Sequence, residues 1–91
     1  MNSSRIIQYS QVFKVLSHPI RYAILVLLNQ HDCTVKELCQ ELQRRQSNIS
    51  QHLQILRKSG LLSFKCNGRQ RIYTLNQNQQ EIVNHLLSFK I

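Results

Sequence analysis

The chain has 91 residues, with twelve lysines and arginines against four aspartates and glutamates, and a formal net charge of +8 at pH 7. That length holds one domain, residues 1–91, whose small core makes pairing with a second copy an expected source of stability. The charge points to nucleic acid or an anionic surface. No apolar run nears the ~20 residues that span a bilayer, no secretory leader pattern opens the chain, and three cysteines, an odd count, argue against a secreted disulfide scaffold. A cytoplasmic protein with no membrane contact is expected.

One proline and two glycines leave few breaks, so most of the chain should be helical. Ser3 or Ser4 can cap a first helix over 4–16, where Ile6, Ile7, Phe13 and Leu16, with Tyr9, recur at helical spacing. Pro19 suits the first position of a second helix, with Ser17 or His18 as its cap. Ile20, Ala23, Ile24, Leu27 and Leu28 form one face of that helix, and Leu25 and Val26 widen it, so it should lie at the buried centre.

Thr34-Val35-Lys36-Glu37 reads as a capping box that starts a short third helix near Val35. Gln43-Arg44-Arg45 is a turn, and a fourth helix follows over 46–59, stopped by Gly60. Its inward stripe is Ile49, Leu53 and Leu56. At 100° per residue, Ser47, Gln51, Gln54 and Lys58 fall on the opposite side. The period then changes to that of strands over 61–75, with Asn67-Gly68 as a hairpin signal. A last helix over 79–90 would carry Ile82, Val83, Leu86 and Leu87.

The fold class these elements imply is mainly α (α+β): a winged helix-turn-helix of about five helices with a two-stranded β-hairpin wing. Its chemistry lies between Glu41 and Glu81, where there is no acidic residue and seven cations: Arg44, Arg45, Arg57, Lys58, Lys65, Arg69 and Arg71. Cations attract phosphate without regard to sequence, whereas uncharged Gln, Asn and Ser side chains on a helix can read base edges in a major groove. The DNA-contact set expected on this basis is Arg44, Arg45, Gln46, Ser47, Asn48, Gln51, Gln54 and Lys58 on the turn and helix, and Lys65, Arg69 and Arg71 on the wing.

An enzyme is not expected. No nucleophile and base are paired, and Gly-x-Ser-x-Gly, His-Glu-x-x-His and phosphate-cradling loops are all absent. A protein-docking domain should show an apolar patch where this chain has its Gln/Ser/Asn face. A single-strand binder should show more aromatics in the basic region than Phe64 and Tyr73.

Leu16-Ser17-His18-Pro19-Ile20-Arg21 with Ile24-Leu25, then Glu37-Leu38, then Gln46 through Leu53 with Leu56-Arg57-Lys58-Ser59-Gly60-Leu61, resembles the ArsR/SmtB family of bacterial winged-helix repressors over about residues 10–75. The resemblance implies a homodimer that binds an inverted repeat in double-stranded DNA, with the first and last helices as its interface. By position it implies Ile6, Ile7, Tyr9, Phe13, Ile82, Val83, Leu86 and Leu87 at the dimer seam. It also implies base reading by Gln46, Ser47, Asn48 and Gln51, and wing contact by Arg69 and Arg71. The alternative is a partner-dependent or non-specific nucleic-acid-binding winged-helix module with no inducer.

Two features depart from the family pattern. Arg45 stands where a small hydroxyl residue usually caps the recognition helix. Either Ser47 or Asn48 caps instead and shifts the helix start, or Arg45 trades cap stability for a phosphate contact. The family's metal-binding Cys-x-Cys aligns with Thr34 and Lys36, and its terminal-helix site aligns with Gln77, Gln79 and Lys90. No metal and no cofactor are therefore expected. The redox candidates are Cys33, just ahead of a helix N-terminus that lowers thiol pKa, and Cys66, near the wing tip.

Overall fold

A computed structural model of the chain describes residues 3–77, 83 and 84. In chain order these form α1 (Ser3–Leu16), α2 (Pro19–Gln30), β1 (Cys33–Thr34), α3 (Val35–Leu42), α4 (Gln46–Lys58), β2 (Leu62–Asn67) and β3 (Gln70–Leu75). The expected last helix falls almost wholly outside the described residues, as do Ile82, Leu86 and Leu87; Val83 and Asn84 are helical. No helix among the described residues is long and apolar enough to cross a membrane.

Local chemistry sets most boundaries. His18 caps α2 through Nδ1, which accepts the Ile20 amide at 3.2 Å, and Pro19 needs no partner for an N–H it lacks. The capping box of α3 is complete. Thr34 Oγ1 accepts the Glu37 amide at 3.2 Å, and the Thr34 amide donates to Glu37 Oε1 at 3.0 Å. These bonds, the backbone one foremost, hold the Glu37 carboxyl below its ordinary pKa. α3 ends on Gln43 at φ 53°, a left-handed residue that turns the chain toward α4. α4 ends in a Schellman motif. Gly60 at φ 86° donates to the Arg57 carbonyl at 3.0 Å, and Leu61 reaches the Leu56 carbonyl at 3.2 Å.

The sheet has three strands in the order β1-β3-β2, all antiparallel, where two were expected. The added strand is a two-residue pairing of Cys33 with Tyr73 and Thr34 with Ile72. It is too short to leave a periodic signature in sequence. The hairpin turn also differs from expectation by one residue. Asn67 pairs with Gln70, so Gly68 and Arg69 are the central residues. Gly68 has φ 65°, and glycine at the first central position is what a type II′ turn requires. Asn76 fastens the wing root to the end of α4. Its side chain donates to the Gly60 carbonyl and accepts from Ser63 Oγ, both at 2.7 Å, and its amide donates to the Leu61 carbonyl at 3.0 Å.

Ile24, Leu25, Leu38, Ile49, Leu53, Leu56, Leu61 and Leu62 are fully buried in one cluster. Each contributes roughly 1.5–3 kcal/mol by leaving water. Val83 belongs to this cluster too, at 0% exposure. That corrects its expected place at the dimer seam, because a side chain already buried in one protomer has no surface to offer a second. The cluster holds α4 against α2, α3 and the sheet, and so fixes which side of α4 faces out.

Candidate nucleic-acid interface

α4 is an amphipathic rod with three sides. Ile49, Leu53 and Leu56 bury one of them. Ser47, Gln51, Gln54 and Lys58 are exposed on the opposite side, as their spacing predicts. Gln46, Ser50, Gln54 and Arg57 line the flank toward the wing. Across from that flank stand Arg69, Gln70, Arg71 and Tyr73, and Thr34, Val35, Lys36 and Cys39 close the end, enclosing a cleft of about 770 Å³. Among the described residues that line it, four are cations and none is acidic. The cleft joins an uncharged hydrogen-bonding row to fixed positive charge, which together satisfy base edges and phosphates.

The first turn of α4 has a weak cap. Arg45 occupies the N-cap position at φ −68° and ψ 151° with no side-chain cap bond, and the helix begins at Gln46 without shifting to Ser47 or Asn48. The guanidinium is therefore free to point at solvent and at any phosphate docked on the helix. Arg44 is exposed beside it.

Asn48 departs from the expected reading row. It is half-buried, and its Oδ1 is sealed from solvent without a partner. It shares a flank with His52, one turn on, whose ring lies 4.3 Å from that of His18 at the start of α2. His52 Nδ1 and Arg21 Nε are likewise buried, with no hydrogen-bond partner among the described residues. Burial, with the nearby His18, Arg21 and Arg44, pushes the His52 pKa down.

On the wing, register sorts the side chains by face. Leu62 with Leu75, Phe64 with Tyr73, and Cys66 with Arg71 share one face, so it runs from the core out to a cation at the tip. Lys65, paired with Ile72, lies on the other face, away from Arg71. Lys36, Ser50, Arg57 and Gln70 also line this cleft, and none of them is in the expected contact set. Arg57 was obscured because its position on the helical wheel lies next to the buried stripe. Gln70 was obscured because an uncharged residue between two arginines carries no signal of its own.

The cysteines divide differently than expected. Cys33 is 3% exposed, and burial first, then Glu37, Asp32 and Glu41, raise its thiol pKa above the ordinary value. Burial thus shields the thiol and disfavours its thiolate, against the direction expected from its place before α3. Cys66 is exposed, as its place near the tip suggested. Thr34 and Lys36 do not form a metal-ligand pair, since the Thr34 hydroxyl is committed to the α3 cap and Lys36 carries a cation. Among the described residues, no three His, Cys, Asp or Glu side chains gather.

The sequence profile of the bacterial regulatory protein arsR family matches residues 18–63, which span the α2 cap, the helix-turn-helix and the root of the wing. The chain belongs to the ArsR family. An uncharacterized HTH-type transcriptional regulator of Mycobacterium tuberculosis is 37% identical over 67 residues, covering 72% of this chain and 59% of that protein. The chain thus spans less than two thirds of that relative's length. The transcriptional repressor SdpR of Bacillus subtilis is 33% identical over 81 residues, covering 88% of this chain and 90% of the repressor. Among solved structures, HlyU of Vibrio cholerae superposes with a TM-score of 0.85 at 27% identity, over 93% of this chain and 94% of that one. HlyU thus shares the fold seen here.

Proposed function

We propose that this chain is a sequence-specific, double-stranded-DNA-binding transcriptional repressor that acts as a homodimer on an inverted repeat. α4 enters the major groove, and the β2–β3 hairpin lies along the adjoining backbone. The carrying observation is the cleft, without an acidic residue among the described ones, whose helix side is an uncharged Gln/Ser row ending in Arg57 and whose remaining walls hold Lys36, Arg69 and Arg71. Relatives such as SdpR are repressors by name, which supports the same direction of control. Gln46, Ser47, Gln51 and Gln54 are the base readers. Arg44, Arg45, Lys58, Lys65, Arg69 and Arg71 meet phosphates.

The homodimer is supported by α1. Ile6, Ile7 and Phe13 are 54%, 56% and 56% exposed, and Tyr9 is half-buried. Three large apolar side chains left open on one short helix form a face that a second copy can cover. The function needs no catalytic group, and the chain acts in the cytoplasm, where it meets DNA.

Selection of bound fragments from the source genome, with purified protein at near-physiological salt, tests the reading. Enrichment of an imperfect inverted repeat is expected. Retention of fragments with no shared site would replace the repressor with a non-specific binding module.

A further inference from the structure

Phe64 carries two guanidinium groups. The guanidinium carbon of Arg71 lies 4.4 Å from its ring centroid, and that of Arg57 lies 5.4 Å away. Register brings in Arg71, which stands opposite Cys66 and so sits diagonally from Phe64 on the same face of the hairpin. Arg57 arrives from the last turn of α4. Tyr73, directly opposite Phe64 and buried, backs the ring with centroids 5.3 Å apart. One anchored phenyl ring thus gathers a cation from the helix and a cation from the wing.

Two like charges on one ring repel each other. Each gains a factor of roughly 2–5 from the ring face at a partly exposed site, but among the described residues no carboxylate lines the cleft to neutralise either. Converging guanidiniums without an internal anion are a site for an external one, and their planar forks match phosphate oxygens. We propose that Arg57 and Arg71, aligned by Phe64, clamp a single phosphodiester of the DNA backbone at the junction of α4 and the wing. The anion belongs to DNA because the same cleft is walled by Gln46, Ser50 and Gln54, so a phosphate held there lies beside the bases that α4 reads. Phe64 is a positioning residue: it touches no base, and it sets where both guanidiniums wait. The clamp rests on the DNA-binding reading above but not on sequence preference, since a phosphodiester is the same at every step of the duplex.

The test is binding of the full chain to a short duplex of arbitrary sequence, followed by fluorescence anisotropy across a salt series. Circular dichroism melting verifies that each variant is folded. Because both arginines hold one phosphate, the R57A/R71A double variant should lower the salt slope by about 0.9 in place of the about 1.8 of two separate contacts. F64L keeps every charge yet should weaken binding roughly 4- to 25-fold, the product of two lost stacking contacts, and F64Y should restore it. In the R57A/R71A background, F64L should have no further effect.

A slope change near 1.8, a neutral F64L, or an F64L loss that persists without the arginines would each overturn the clamp. So would protection of Arg57 and Arg71 by inorganic phosphate at constant ionic strength while duplex binding ignores both, which would assign the clamp to a free anion. If the genomic selection finds no shared site but this pattern holds, the clamp stands and the sequence-specific repressor does not.

Discussion

Replacing Arg45 with serine should move stability and DNA affinity in opposite directions. Arg45 holds the N-cap position of α4 in extended geometry but makes no cap bond, which leaves the first amides of the recognition helix without a side-chain acceptor. A serine hydroxyl in that geometry would accept from the amide of Ser47 or Asn48 and add about 1 kcal/mol of stability. For a domain of this size, that raises Tm by about 4–8 °C. The same change deletes one cation from the rim of the helix. Loss of one phosphate contact flattens the salt slope by about 0.9 and weakens binding about 5-fold near 0.15 M salt and about 15-fold near 0.05 M. Thermal melting and salt-dependent duplex binding on one preparation of Arg45→Ser measure both effects. A Tm that stays level or falls would mean that the first turn is already satisfied. An affinity loss that does not grow as salt is lowered would mean that Arg45 does not meet phosphate.

Gln51→Ala should weaken operator binding by about 1–3 kcal/mol while leaving arbitrary duplex untouched, and equal losses on both DNAs would remove Gln51 from base reading. Phe13→Asp, at a side chain 56% exposed in the single chain, should leave folding intact and yield monomers by sedimentation equilibrium; a surviving dimer would place the interface elsewhere. His52 contributes a pH dependence of known sign. Its pKa is lower in the folded protein than the ordinary 6.5, so the unfolded chain takes up the proton first. Stability should be full above about pH 6.5, decline as pH falls from there toward the folded-state pKa, and level off below it. His52→Gln should remove that part of the decline, and an unchanged pH profile would show that the seam with His18 does not resist protonation.

Much of this architecture was legible because local chemistry and tertiary structure agree. Thr34 and Glu37, Pro19 behind His18, and Gly60 after Lys58 each mark a helix end through bonds confined to neighbouring residues, and the structure makes those bonds. The stripe Ile49, Leu53 and Leu56 marked which side of α4 is buried and which is left exposed. What sequence could not expose depends on distant partners. β1 exists only because β3 passes Cys33 and Thr34. The Cys33 thiol looked activated by its position before α3, yet burial and three carboxylates decide its state. Asn48 has a reader's chemistry, but α4 is rotated so that its oxygen is sealed in. The pairing of Arg57 and Arg71 on Phe64 joins segments that no periodicity relates.

The pairing of β1 with β3 also bears on the order in which the protein is made. Thr34 is both the cap of α3 and the ladder partner of Ile72, from which it is separated by about forty residues of chain. A nascent chain that has emerged only as far as Gly60 holds every residue of α3 and α4 but not the strand that ties down the start of α3. Closing so long a loop costs entropy that is recovered only when Gln70–Leu75 docks. The start of α3 is therefore tied down to the sheet only once the wing is complete.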